Sequence, residues 1–285
     1  MRLFSISEAE YYTSSFGGSG GVSQRSLTAF CKACILPNRI RTLSEGTTIF
    51  DQYRDCLLRD VERSLFVSAS HYRRALDLMT CSAAPWAHVT LYYGNWHVAH
   101  ALLGLFGCAV VSDRVIDVCK GRPGGQVLRI RGIGTKPGQA YTTYRGSHRR
   151  FWDLFYQAFQ GARATFPSGF WSVLTPISGD PLWQIARRND INYDLHSSIQ
   201  LAQDFDLRFA CGAFPACLPS VMNTQYKVFE LLLEMSFYYA QGFGIATDAL
   251  DGIRGHSPLR AKIRELIYNE KASGLVRRTR KAVVT

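Results

Sequence analysis

SAAPWAHVTLYYGNWHVAHALLGLFG, residues 82–107, decides the fold. Ser82 can cap a helix, Pro85 suits its first turn, and Gly104 and Gly107 fit its end. Between them Trp86, Tyr92, Tyr93, Trp96, Leu102, Leu103 and Phe106 fall on every side. A helix apolar all round has no face to give to water, so it belongs at the centre of a bundle. His97 and His100 form an i, i+3 pair on this helix, with His88 further back. Without a carboxylate at fixed spacing they read as buried, hydrogen-bonded histidines. No metal and no cofactor is expected.

Working outward, residues 47–80 place Phe50, Tyr53, Leu57, Val61, Leu65, Tyr72, Leu76 and Met79 at three- and four-residue steps, which predicts a long helix. His71, Arg73 and Arg74 read as its solvated face. After a shorter segment, 109–119, GRPGG at 121–125 breaks the pattern. QVLRIRGI (126–133) and QAYTTYRG (139–146), joined by GTKPG, predict a small β-hairpin near 126–146. GSHRRFWDLFYQAFQGA (146–162) reads as an amphipathic helix from a Ser147 cap, and 163–180 as loop. A second strongly apolar helix over 224–243 should neighbour the first, and a last amphipathic one runs from Pro258 to Tyr268. The organisation expected is an irregular segment over 1–45, broken by FGGSGG, a single helical domain over 46–270, and a basic tail over 271–285.

The composition allows this. Of 285 residues 47% are hydrophobic and 19% charged, enough to bury a core and too few charges for disorder. Lysine and arginine outnumber acids 33 to 22, a net charge of +11 that favours an anionic partner such as RNA. Eight scattered cysteines include one close pair, Cys31 and Cys34, with no second pair at zinc spacing. Glu8 and Glu10 interrupt any signal-peptide core, and no apolar run is long enough for a membrane. A soluble cytoplasmic protein is expected. There is no GxGxxG after a strand, no GxxxxGK[ST], no HExxH and no GxSxG. GIGTKPG (132–138) is a turn rather than a phosphate loop.

Chemically capable side chains are densest in RRNDINYDLH, Arg187 to His196. Asp180-Pro181 before it offers an N-cap carboxylate and a first-turn proline, and a short helical pattern, His196 to Phe205, follows. Asn189, Asp190, Asn192 and Asp194 compete for backbone hydrogen bonds and favour a break between two helices. These residues either cap and pin two helices or form a site.

PWAHVTLYYGNWHVAHALL (85–103), GSHRRFW (146–152) and RRNDINY (187–193) together resemble the HEPN-like helical proteins, particularly their YaaC-like branch, over residues 60 to 205. The resemblance implies a mainly α, HEPN-like helical bundle carrying the hairpin as an insertion. It implies a metal-independent ribonuclease, a toxin or antiviral-defence effector working as a homodimer or with a companion defence protein. The family motif is an arginine, a polar residue and, a few positions on, a histidine. Arg188-Asn189 matches its start and His196 supplies the histidine, with seven residues between Arg188 and His196. An unbroken helix would hold that pair about 12 Å apart along its axis, on different faces. Convergence therefore calls for the break at 192–194 or for a second protomer.

In the catalytic reading His196 takes the proton of an RNA 2′-hydroxyl and Arg188 stabilises the charge on the phosphoryl oxygens. Asn189 or Asn192 orients the histidine or the phosphate, and His148 adds a second proton-transfer group if the fold brings it near. Arg129, Arg131 and Arg145 of the hairpin, with Arg187, Tyr193, Arg277 and Arg278, would hold RNA. The alternative is a catalytically inactive module that binds RNA, a nucleotide ligand or a partner protein in a defence or toxin–antitoxin complex.

Overall fold

The Thr47 side chain accepts a hydrogen bond from the Phe50 backbone N–H at 3.3 Å, and that cap opens the longest described helix of the computed structural model. The structure describes residues 25–111, 114–120, 126–132, 147–160, 180, 182–209 and 218–242. In chain order these form α1 (Leu27–Phe30), a π-helical turn (Cys31–Ile35), β1 (Thr42–Ser44), α2 (Thr48–Thr80) and α3 (Ala84–Leu105). Three strands follow, β2 (Ala109–Val111), β3 (Arg114–Lys120) and β4 (Gln126–Gly132). The last four helices are α4 (Ser147–Gln160), α5 (Trp183–Tyr193), α6 (Leu195–Phe209) and α7 (Ser220–Gly242). The described residues are mainly helical.

The apolar stretch that opened the sequence reading lies at the centre. α3 packs against α2, α5, α6 and α7, and its Tyr92 and Trp96 meet Trp152 and Phe151 of α4. α7 is its neighbour, as expected for two helices that cannot afford a solvent face, with Phe229, Leu232, Leu233 and Phe237 buried. A buried amide ties three helices together. Asn95 Nδ2 donates to Gln184 Oε1 of α5 (3.0 Å) and to the Gln225 carbonyl of α7 (3.1 Å).

Two glycines on α3 act differently from one another. Gly107, at φ 76°, ends the helix, and the Cys108 N–H reaches back to the Leu103 carbonyl at 3.1 Å. Gly104 is inside the helix, where an added Cβ would sit 2.7 Å from Val61 Cγ2, so it lets α2 approach closely. Ser82 does not cap α3. It holds a left-handed φ of 55° in the tight turn from α2, and the cap position falls to Ala83, which makes no side-chain bond.

The expected hairpin is described only in its first run, since 139–146 lies outside the described residues. The strand at 126–132 exists, but it pairs antiparallel with 114–120 across GRPGG and with Thr42–Ser44 on its other edge. The result is a four-stranded sheet in the order β1-β4-β3-β2, with 139–146 outside the described residues. Strand β1 comes from the N-terminal segment expected to be irregular to residue 45. From Leu27 that segment instead folds onto the core, burying Leu27, Phe30, Cys31, Ile35 and Leu43. The helix at 258–268 and the tail at 271–281 also lie outside the described residues. Among the described residues no helix is long and apolar enough to cross a membrane.

Candidate functional site

The break at 192–194 is present. α5 ends at Tyr193, Asp194 is extended, and its carboxylate accepts hydrogen bonds from the backbone N–H groups of His196 (3.2 Å) and Ser197 (3.1 Å) and from the Ser197 hydroxyl. Asp180 is not the expected N-cap of α5: that position is Leu182, without a side-chain bond, and the Asp180 carboxylate accepts the Leu182 N–H at 2.8 Å. The break nevertheless sends Arg188 and His196 to different surroundings. His196 is exposed on α6, its Nε2 2.8 Å from Gln200 Nε2. Asn192 and Tyr193 are exposed as well, and Arg187 pairs with Asp190 at 3.5 Å.

Arg188 instead turns to α3. Its Nη1 donates to the Tyr93 hydroxyl (3.3 Å), and its Nε (3.2 Å) and Nη2 (2.6 Å) donate to Asn189 Oδ1. Its guanidinium carbon stands 5.3 Å from the centre of the Tyr92 ring, within cation–π range. Of a guanidinium's five N–H groups three are used here, and among the described residues two have no partner. Asn189 thus orients the arginine, rather than a histidine.

The histidine that meets this group is His148. Its Nδ1 lies 2.9 Å from the Tyr92 hydroxyl, which also accepts the Trp152 Nε1–H at 3.3 Å. Burial, then the Arg188 charge, pushes the His148 pKa down, so the ring is neutral at neutral pH. Burial lifts the Tyr92 phenol to about 12, which keeps its proton in place. Arg188 and His148, brought from helices far apart in sequence, therefore share Tyr92.

A run of aromatic rings leads away from them. Trp96 lies 4.7 Å from His148, 4.9 Å from His97 and 4.3 Å from His100, and His97 stacks on His71 at 5.4 Å. Burial holds His97 near 4 and His100 near 3, with neighbouring imidazoles adding to the effect, and lowers His71 too. His88, fully buried, is pushed to about 4 and faces the Arg187 backbone without reaching hydrogen-bond geometry. Of the three histidines expected to be buried and hydrogen-bonded, His88 is buried but bonds nothing among the described residues, while His97 and His100 are half-buried and His100 Nε2 has no partner there. No group of three or more His, Cys, Asp or Glu there is arranged to hold a metal.

At its far end this run opens on a cavity of about 480 Å³. α2 and β2 line it with aliphatic residues such as Val61, Val67 and Val111, and α3 and α4 with Trp96, His97, His100 and Phe151. Asp60 and Arg63 add a carboxylate and a guanidinium to its wall.

Tyr92, Tyr93, Trp96 and His71 were not singled out by sequence as site residues. The available signal was the three- and four-residue spacing of Tyr93, Trp96, His97 and His100, which puts them on one stripe of an otherwise apolar helix. Arg129 and Arg131 lie on β4, in register with Asp117 and Val115 of β3. Arg145, Arg277 and Arg278 lie outside the described residues. No family model, no curated protein and no solved structure matches the chain.

Proposed function

We propose that the protein is an RNA-cleaving phosphodiesterase of the HEPN-like kind, acting without a metal, with Arg188 and His148 at its centre. One observation carries this reading: Arg188, with two N–H groups left over, and a neutral His148 meet at Tyr92. The guanidinium takes the charge that builds on the phosphoryl oxygens. A neutral imidazole at or beside this centre accepts the 2′-hydroxyl proton as that oxygen bonds to phosphorus. The bond to the 5′-oxygen breaks, leaving a cyclic phosphate and a 5′-hydroxyl that takes up a proton. The net charge of +11 supports a polyanionic substrate. His196, exposed beside Gln200, is the other histidine of this reading. Pure protein incubated with total RNA in chelator tests it, with Arg188→Ala, His148→Ala and His196→Ala in parallel. Loss of cleavage in the first two with intact melting supports the Arg188–His148 centre, and loss in His196→Ala alone moves the centre to α6.

The cavity beside Trp96 favours a second reading, a catalytically silent module that binds a small ligand. Its volume suits a nucleotide-sized molecule. A thermal shift with nucleotides, together with no cleavage by wild type, selects this reading over the first.

A further inference from the structure

We propose that Tyr92 is a positioning residue that fixes His148 as an Nε2–H donor, so that His148 and Arg188 form a two-donor clamp for the oxygens of a phosphate group. The inference rests on the phosphodiester reading and assigns His148 a narrower role within it: hydrogen bonding to the anion rather than accepting the proton.

The direction of each bond follows from what each group can do. Trp152 Nε1 only donates, so at 3.3 Å the Tyr92 oxygen is the acceptor. The Tyr92 hydroxyl has one proton to place, its side chain is fully buried, and among the described residues the only other group bonded to it is His148 Nδ1, at 2.9 Å. Were His148 to donate from Nδ1 instead, the phenol proton would be left buried without an acceptor, a cost native structures avoid. Tyr92 therefore donates to Nδ1. A neutral imidazole has one proton, and with Nδ1 accepting it sits on Nε2. Among the described residues nothing bonds that Nε2, and the atom is not among the buried polar atoms lacking a partner. The half-buried ring thus offers an N–H, and Arg188, near enough for its charge to act on that ring, retains two more.

Arg188 reinforces this choice. Burial first, and then its charge, disfavour a second proton on His148, which keeps the ring a neutral donor. The same arrangement withholds His148 from proton abstraction, because its only free nitrogen is already protonated. The proton acceptor of the reaction must then be another group, with His97 and His196 as the candidates.

Nitrogen-15 NMR of the full-length protein with labelled histidine reads the tautomer directly. The expected spectrum gives His148 an unprotonated Nδ1 and a protonated Nε2 at neutral pH. A protonated Nδ1 in wild type overturns the proposal, and this reading needs no variant to fold and no RNA to be cut. Inorganic phosphate and an uncleavable 2′-deoxydinucleotide, titrated separately, should each move the Nε2 resonance. Free phosphate alone moving it overturns the assignment to a phosphodiester, and neither moving it overturns the clamp. Arg188→Ala and His148→Ala should each weaken binding of the dinucleotide about tenfold, with His148→Gln recovering part of the loss because its amide donates from nearly the same place. Tyr92→Phe should mix the two tautomers. An unchanged His148 spectrum in folded Tyr92→Phe assigns the tautomer to something else. Absence of RNA cleavage with the tautomer and both titrations as expected would remove the ribonuclease reading and leave the clamp standing.

Discussion

Arg188 is held by a fork. Asn189 Oδ1 takes two of its N–H groups and the Tyr93 hydroxyl a third, which aims the planar group rather than a point charge. Lysine cannot reproduce this, so Arg188→Lys should lose nearly as much cleavage as Arg188→Ala, at least about tenfold. A lysine variant close to wild type in a steady-state cleavage assay would show that charge alone matters. The arginine was legible in the sequence because it opens a dense polar run with an asparagine behind it. Its partners were not. Tyr92 and His148 are apart by 56 positions and Arg188 and Tyr93 by 95, and no local spacing records a meeting made by tertiary packing.

The helices α2, α3 and α7 were legible because long periodic apolar segments leave few alternatives. The cap on α2 at Thr47 and the glycine end of α3 at Gly107 follow from local chemistry alone. The sheet was legible only in part for a related reason. A β-like run announces itself, but its partner does not, and GRPGG joins β3 to β4 as readily as GTKPG suggested a hairpin further on. At this scale Gly104 offers the sharpest test. Its Cβ would press on Val61, a stiff β-branched side chain, so Gly104→Ala should destabilise the fold by about 1–3 kcal/mol despite alanine's better helix propensity. Val61→Ala in the same chain should recover part of that loss, measured as the urea midpoint. If the two changes simply add, α2 and α3 do not touch where the structure puts them.

For the whole molecule the buried imidazoles make stability depend on pH. His88 and His100 fall from 6.5 to about 4 and about 3 on folding, with burial the first cause in each. Between those values the unfolded chain takes up protons that the folded chain refuses. Stability is therefore full above pH 6.5 and falls as the pH drops from there toward 4. Each proton taken up on unfolding contributes about 1.4 kcal/mol per pH unit. Urea unfolding from pH 7 to pH 5, above the range where ordinary carboxylates titrate, should show that slope, and His88→Gln should reduce it. A flat profile would mean that these rings find hydrogen bonds or water on their way to protonation.

The RNA cleavage proposed for Arg188 and His148 stands or falls on one assay. Wild type, Arg188→Ala, His148→Ala and the double variant are incubated with RNA in chelator, each beside its own thermal melt. Two groups acting on one phosphodiester give strongly non-additive losses, so the double variant should cleave about as slowly as either single one, with all four melting alike. Cleavage by folded His148→Ala and Arg188→Ala at the wild-type rate would contradict it outright.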